Sequence, residues 1–376
     1  MSATVASIHK AIEAWAPAAT AQSFDNVGLL VGRMERPVSR VLVALDMTPA
    51  VLEEAIEMGA ECVVTHHPLI FKAIKRLTDA SFESSLALRL AEAGIALYAA
   101  HTNLDAARDG VSFQLARDLG VKQPEFLSSL SDSLVKLVVF CPLDAADTVR
   151  NAMFAAGAGQ VGNYSECSFS SAGSGTFKPG DGTDPHIGQS GGAREQVSEL
   201  RIEVEVPRWK LGTVVGAMKE AHPYEEVAHD IIPVEQDYRN AGIGAVGDLP
   251  APVTFDAFLS TVARALDNQA LRVVGEGDRM IQRVAVCGGS GSDFIGLAMK
   301  AGANVYVTAD ITYHRYFEVL DSEGDARMAL VNAGHFETEQ CTEDLLVDYL
   351  TRTVPGVRFV ATKHRTAPVR TWVSNR

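Results

Sequence analysis

The chain has 376 residues, of which 47% are apolar and 21% charged, enough for two or three domains around a sizeable core. Its formal net charge of −14 argues against a nucleic-acid binder, which presents a basic face. The five cysteines, Cys62, Cys141, Cys167, Cys287 and Cys341, form no C-x-x-C pair and speak for a reducing compartment rather than a disulfide framework.

Hydrophobic periodicity predicts, in chain order, helix 4–15, strand 40–45, helix 49–58, strand 61–65, helix 80–93, strand 95–100 and helix 111–119. A different succession follows: strand 135–141, helix 144–156, strand 161–170, strand 197–206, helix 208–221 and strand 227–234. That β-α-β-β-α-β order is the ferredoxin-like pattern. Residues 171–193, rich in Gly, Ser, Asp and Pro, read as a long hairpin loop between its central strands. The last part reads as helix 254–266, strand 281–286, helix 292–300, strand 304–308, helix 312–320, strand 327–332 and helix 338–353.

The first and last parts echo each other. Residues 40–65, RVLVALDMTPAVLEEAIEMGAECVVT, match residues 283–308, RVAVCGGSGSDFIGLAMKAGANVYVT, with Arg and Thr 25 apart in both copies. Each copy is then followed by an apolar run that leads into His-x-x-x-acid: His101 to Asp105, and His335 to Glu339. The fold class is therefore α/β, a duplicated core with mostly parallel sheets and an inserted ferredoxin-like α+β domain. Its parts are core half one at 1–126, the insertion at 127–236 and core half two at 237–376, the halves forming one core. No run reaches the roughly 18 apolar residues of a membrane span, and MSATVASIHKAIEAWAP lacks a signal-peptide core, so no membrane association and a cytoplasmic location are expected.

The candidate chemistry lies just past the predicted strand ends, the edge where parallel α/β sheets build ligand sites. Thr65 leads directly into His66-His67-Pro68, and Pro68 ends the strand. Adjacent histidines on a pleated chain point in opposite directions, so the two serve different ions, or one binds while the other orients. With the pairs His101–Asp105 and His335–Glu339 they make a mixed imidazole and carboxylate set without thiolate, suited to Zn, Fe, Mn, Co or Ni. Three histidines with two carboxylates exceed the needs of one catalytic ion, and two ions sharing one carboxylate would use them economically. Asp25 and Asn26 in SFDNVGLLVG, and Asp310 and His314 in TADITYH, are candidates for supporting the ligands or touching substrate. The Gly-rich CGGSGS at 287–292 reads as a tight turn with modest anion-binding potential.

SFDNVGLLVG, VVTHHPLIF, HTNLDAA, TADITYH and GHFETE, in this order from residue 23 to residue 339, resemble the dinuclear-metal proteins known as GTP cyclohydrolase I type 2 homologues, the Nif-three-like family. The segment 127–236 looks like the PII-like insertion of its longer bacterial members. The resemblance implies a homohexamer whose metal pairs face an internal cavity. It places His66, His67, Asp105, His335 and Glu339 at metal positions, with Glu339 as the bridge and two divalent ions per chain. His101 falls outside that ligand set, as a proton shuttle or a supporting residue. Two functions remain open: a metal-dependent hydrolase acting on a nucleotide or similar small molecule, with GTP ring opening as the named candidate, or a metal-binding regulatory or scaffold protein whose insertion senses a small ligand.

Overall fold

The computed structural model describes residues 3–370 and Trp372. Its strands are β1 (Gly28–Val31), β2 (Arg40–Ala44), β3 (Cys62–Thr65), β4 (Ala96–Ala99), β5 (Lys122–Leu130), β6 (Leu134–Pro142), β7 (Phe169–Phe177), β8 (Glu195–Pro207), β9 (His229–Pro233), β10 (Tyr238–Thr254), β11 (Arg272–Val274), β12 (Met280–Val286), β13 (Val305–Thr308), β14 (Ala329–Asn332) and β15 (Arg358–Ala361). The chain divides into two compact units, Met1–Ser128 with Ala241–Arg376, and Ser129–Asn240.

The first unit holds two sheets, of order β1-β4-β3-β2-β15 and β11-β14-β13-β12-β10-β5. β4, β3, β2 and β15 run parallel, as do β14, β13 and β12, while β1 and β11 pair antiparallel at corresponding edges. Parallel strands are covered on both faces, and their side chains divide accordingly. Val41, Val43, Val64 and Tyr98 enter one core, whereas Leu42, Ala44, Val63 and Leu97 enter another. Helices Pro49–Glu57 and Phe82–Glu92 cover the second of these faces. Thr48 and Ser81 start them, each side chain accepting a hydrogen bond from a first-turn amide.

The two halves exchange their last elements. Helix Val111–Asp118 and β5 follow the first copy, yet Phe113, Leu115 and Ala116 pack into the core of the second sheet. Helix Cys341–Thr353 and β15 follow the second copy, yet Leu346, Leu350 and Phe359 pack into the core of the first. Leu346 and Leu350 are fully buried, each contributing about 1.5–3 kcal/mol from its removal from water. Leu45 N also donates to Glu343 Oε1 across 2.8 Å, tying the exchanged helix to the end of β2.

In the second unit β6 pairs antiparallel with both β8 and β9, and β7 lies outside β8. Helices Ala146–Ala155 and Leu211–Ala221 pack on one face, over Val135, Leu137, Val139 and Cys141. The expected β-α-β-β-α-β order is present with one correction. The strand placed at 161–170 is β7, at 169–177, so the hairpin loop starts at 178 rather than 171. Small Ser, Ala and Gly side chains obscure the period-2 pattern there, but their backbone pairs with β8 throughout. A second correction concerns 312–320, where a 3-10 turn, Tyr313–Val319, replaces the expected helix. Aromatic and β-branched residues dominate that stretch and only Val319 is buried, so neither propensity nor packing supports an α-helix.

Gly242 lies so close to Ser128 that a side chain on it would meet the Ser128 carbonyl at 2.4 Å, and the two points of entry into the second unit are thus neighbours. Deleting 129–240 and joining Ser128 to Ala241 through a short Gly-Ser linker should leave a soluble core that unfolds in one cooperative transition by circular dichroism. An insoluble or non-cooperative product would show that the core needs the second unit to fold.

Candidate metal centre

Five parallel strands of the first unit end within two or three residues of a polar group: β2 before Asp46, β3 before His66 and His67, β4 before His101, β13 before Asp310 and β14 before His335. Short helices Thr102–Asp105 and His335–Glu339 then carry Asp105 and Glu339. Glu339 is the centre of the arrangement. It is 3% exposed, and its two carboxylate oxygens face different neighbours.

Oε2 lies 3.0 Å from His67 Nε2 and 3.1 Å from His335 Nε2, and those nitrogens are 3.3 Å apart. Oε1 lies 3.8 Å from His66 Nε2, which is itself 3.6 Å from Asp105 Oδ1. The latter separations exceed hydrogen-bond range. Accordingly, buried His66 Nε2 and Asp105 Oδ1 have no hydrogen-bond partner. Orphaned polar atoms of this kind are costly unless something else binds them. Metal bonds of about 2.0–2.2 Å from one ion would span such gaps. His67–His335–Glu339, His66–Asp105–Glu339 and His66–His67–His101 are each grouped closely enough to hold a metal ion, their ligand atoms lying within 4.8 Å of one another.

All four imidazoles are held from behind. His66 Nδ1 donates to the Ala100 carbonyl at 2.8 Å, His67 Nδ1 to Asp46 at 2.7 Å, His101 Nδ1 to Asp25 at 2.8 Å and His335 Nδ1 to Asp310 at 2.6 Å. An Nδ1–H committed to an oxygen fixes the tautomer and offers Nε2 as a lone pair, the arrangement that metal-binding histidines use. The carboxylates are anchored in turn. Asp46 Oδ2 accepts from Thr366 Oγ1 at 2.6 Å, and Asp25 Oδ2 accepts from Thr102 N at 3.0 Å and from its hydroxyl.

Gly289 makes the space. At φ +59° it sits in the left-handed region, and a Cβ there would come 2.0 Å from Glu339 Oε1 and 3.2 Å from His335 Nε2. The CGGSGS turn therefore admits a carboxylate side chain. In the repeat Gly289 corresponds to Asp46, so one copy supplies a support for His67 and the other supplies room.

Without a cation the cluster shares protons. Burial opposes charge on His67 and His335, but bonds to Glu339 and to Asp46 or Asp310 outweigh it and hold the imidazoles up at about 10 and about 9. Burial raises Asp105 to about 7. Burial would also raise Glu339, but hydrogen bonds from the surrounding histidines carry it well below the usual carboxylate range. Asp25 resists its own burial through bonds from His101 and Thr102 and stays at about 2.

Of the residues singled out in the sequence, His66, His67, Asp105, His335 and Glu339 converge, and His101 joins His66 and His67. Asp25 and Asp310 orient imidazoles. Asn26 instead donates to the Ile70 carbonyl at 2.5 Å and pins the loop after the histidine pair. His314 is exposed, its ring against Tyr313, and is not brought into the cluster. Sequence reading missed Asp46 and Thr366. Asp46 had a signal, its place just beyond β2 on the same sheet edge, whereas Thr366 had none.

The sequence matches the family model for Duf34/NIF3 (NGG1p interacting factor 3) over residues 3–368. The chain belongs to that family. It is 43% identical over 303 residues to the "GTP cyclohydrolase 1 type 2 homolog" of Halalkalibacterium halodurans, covering 80% of this chain and 81% of the relative. It is 41% identical to that of Bacillus subtilis, covering 86% of each. A crystal structure of a Bacillus cereus protein related to NIF3 superposes with a TM-score of 0.83 at 36% identity, covering 99% of this chain and all of the other.

Two outcomes test the centre. Loading a metal-free NIF3-family chain of this kind with divalent metal at pH 7 should release about two protons or more, because His67 and His335 must lose theirs. Calorimetry in buffers of different ionisation enthalpy measures this, and an absence of proton release would refute the assignment. Separately, Asp46→Ala should weaken metal affinity roughly 10–100-fold by freeing the His67 ring. Unchanged affinity by competition with a chromogenic chelator would mean that Asp46 does not support a ligand.

Proposed function

We propose that this chain is a dinuclear metal-dependent hydrolase acting on a nucleotide or similar small molecule, with GTP ring opening as the first candidate. The supporting observation is the division of one buried carboxylate between two groups of ligands, Oε1 toward His66 and Asp105 and Oε2 toward His67 and His335. Two divalent ions, whether Zn, Fe, Mn, Co or Ni, fit that donor set, which contains imidazole and carboxylate without thiolate. When bound, such a pair supplies Lewis acidity and a nucleophilic hydroxide near neutral pH.

The chain's own residues supply positioning and a proton path. His66, His67 and His335 are fixed by acceptors on Nδ1, so their Nε2 atoms need no reorganisation to bind. His101 is the general base in this scheme. Its Nδ1–H is committed to Asp25, its Nε2 takes a proton from the attacking water, and the ionised Asp25 stabilises the imidazolium formed. GTP enters through the names of the relatives. The same resemblance suggests a homohexamer in the cytoplasm.

A specific feature favours a second function, regulatory sensing. Within Ser129–Asn240, which we read as the PII-like insertion, a cavity of about 700 Å³ is lined by Phe140, Phe177, His186, Glu199, Arg201 and Tyr224. Glu199 is 9% exposed and accepts from Tyr224 Oη at 3.0 Å. A cavity of this size with few convergent polar groups is typical of small-molecule sites.

Chromatographic turnover assays on protein loaded with each metal separate the two. Hydrolysis of GTP or another nucleotide is expected, and His101→Ala should lower the rate about 10²–10⁴-fold at unchanged metal content. Binding without turnover across all five metals and a nucleotide panel would leave the sensing function standing and remove the hydrolase.

A further inference from the structure

A cavity of about 740 Å³ opens beside the metal centre, bounded on one side by His67 and Asp46. That volume falls within the range of about 300–1,000 Å³ common to small-molecule sites. The loop that follows His66-His67-Pro68 also lines it, and there the charge reverses. In a chain with 33 basic and 47 acidic residues, three of the five residues 72–76 are Lys72, Lys75 and Arg76. All three line the cavity and are exposed. None makes a hydrogen bond or an ion pair among the described residues. Several other arginines in the molecule are tied to carboxylates, as with Arg89–Glu53, Arg315–Asp293 and Arg365–Glu337.

Two carboxylates share this cavity. Asp46 is committed to His67 and Thr366, which leaves Glu83 as the one opposing acid without a described partner. Three cations against one free carboxylate, in an otherwise acidic protein, make a local positive field that an anion would feel first. Three cations within five residues can meet an extended anion at more than one point. Lysines present point charges and Arg76 a planar fork, so together they can accept successive phosphate groups. Phe71 and Phe82 add apolar walls, 42% and 55% exposed, and Phe71 stands 6.3 Å from the His101 ring. Exposed rings beside a cationic loop suit a ligand with both a planar ring and a charged tail.

We infer that Lys72, Lys75 and Arg76 form the seat for the phosphate chain of a polyphosphorylated ligand, which the neighbouring metal centre then acts on. This deepens the hydrolase proposal and rests on it for the reaction, though not for the binding. Exposed lysines are ordinarily just a solvated face. What sets these apart is their shared cavity with His67.

The test uses the full chain and inorganic tripolyphosphate as probe, followed by calorimetry. Measurements are made on metal-free protein, so that bound ions cannot hold the probe. We expect salt-sensitive binding that Lys72→Gln/Lys75→Gln/Arg76→Gln weakens at least about tenfold, with metal uptake unchanged. Lys75→Gln alone, which keeps most of the loop intact, should weaken it measurably and guards against misfolding of the triple variant. Equal affinity of wild type and both variants would overturn the seat. GTP that binds more tightly than tripolyphosphate marks a nucleoside triphosphate, whereas equal affinities mark an inorganic chain, and either result requires the cations. Turnover by wild type with tripolyphosphate affinity unaltered in the variants would sink the seat alone. Binding lost in the variants without turnover by wild type would sink the hydrolase alone.

Discussion

The fold is organised around one unfavourable act, the burial of the Glu339 carboxylate. A carboxylate taken out of water is costly unless several partners meet it. Here His67 and His335 reach one oxygen and His66 approaches the other. Those partners bring a second problem, because buried imidazoles also need their remaining nitrogens satisfied. Ala100, Asp46 and Asp310 answer it from behind. The absence of a side chain at Gly289 is part of the same solution, since any Cβ would occupy the space of the carboxylate.

Exchange of the terminal elements explains how residues from both copies meet. Asp105 lies a short turn ahead of the helix that leaves for the second sheet, and Glu339 precedes the helix that crosses to the first. Each acid therefore sits where the chain passes from one half to the other. Leu346 and Leu350 buried in the first core, and Phe113 in the second, hold these crossings in place. Separating the halves would cost the core packing as well as the centre, so fold stability and site geometry draw on the same contacts.

The sequence reveals much of this, and its gaps have physical causes. The repeat at 40–65 and 283–308 carries the parallel strands because those strands are buried on both faces and read as apolar runs. β1 and β11 escape notice because they are short edge strands of four and three residues, only partly buried. β10 is hidden by the Gly and Pro in YRNAGIGAVGDLPAPVT, which read as turns although Ala245, Val246, Gly247 and Asp248 pair with β12. The exchange of β5 and β15 has no local signal, since nothing in KQPEFLSSL or RFVA says which sheet it joins. At the site, histidines and paired acids stand out by spacing. Their supports do not, because Asp46 resembles any polar residue ahead of a helix and Thr366 depends wholly on tertiary placement.

In the proposed centre, Glu339 serves two metal positions while each histidine serves one. Elemental analysis of wild type, His66→Ala and Glu339→Gln, each purified without chelator and exposed to excess Zn(II), tests it most directly. About two equivalents are expected for wild type, about one for His66→Ala and little or none for Glu339→Gln. Full metal content in Glu339→Gln would contradict it.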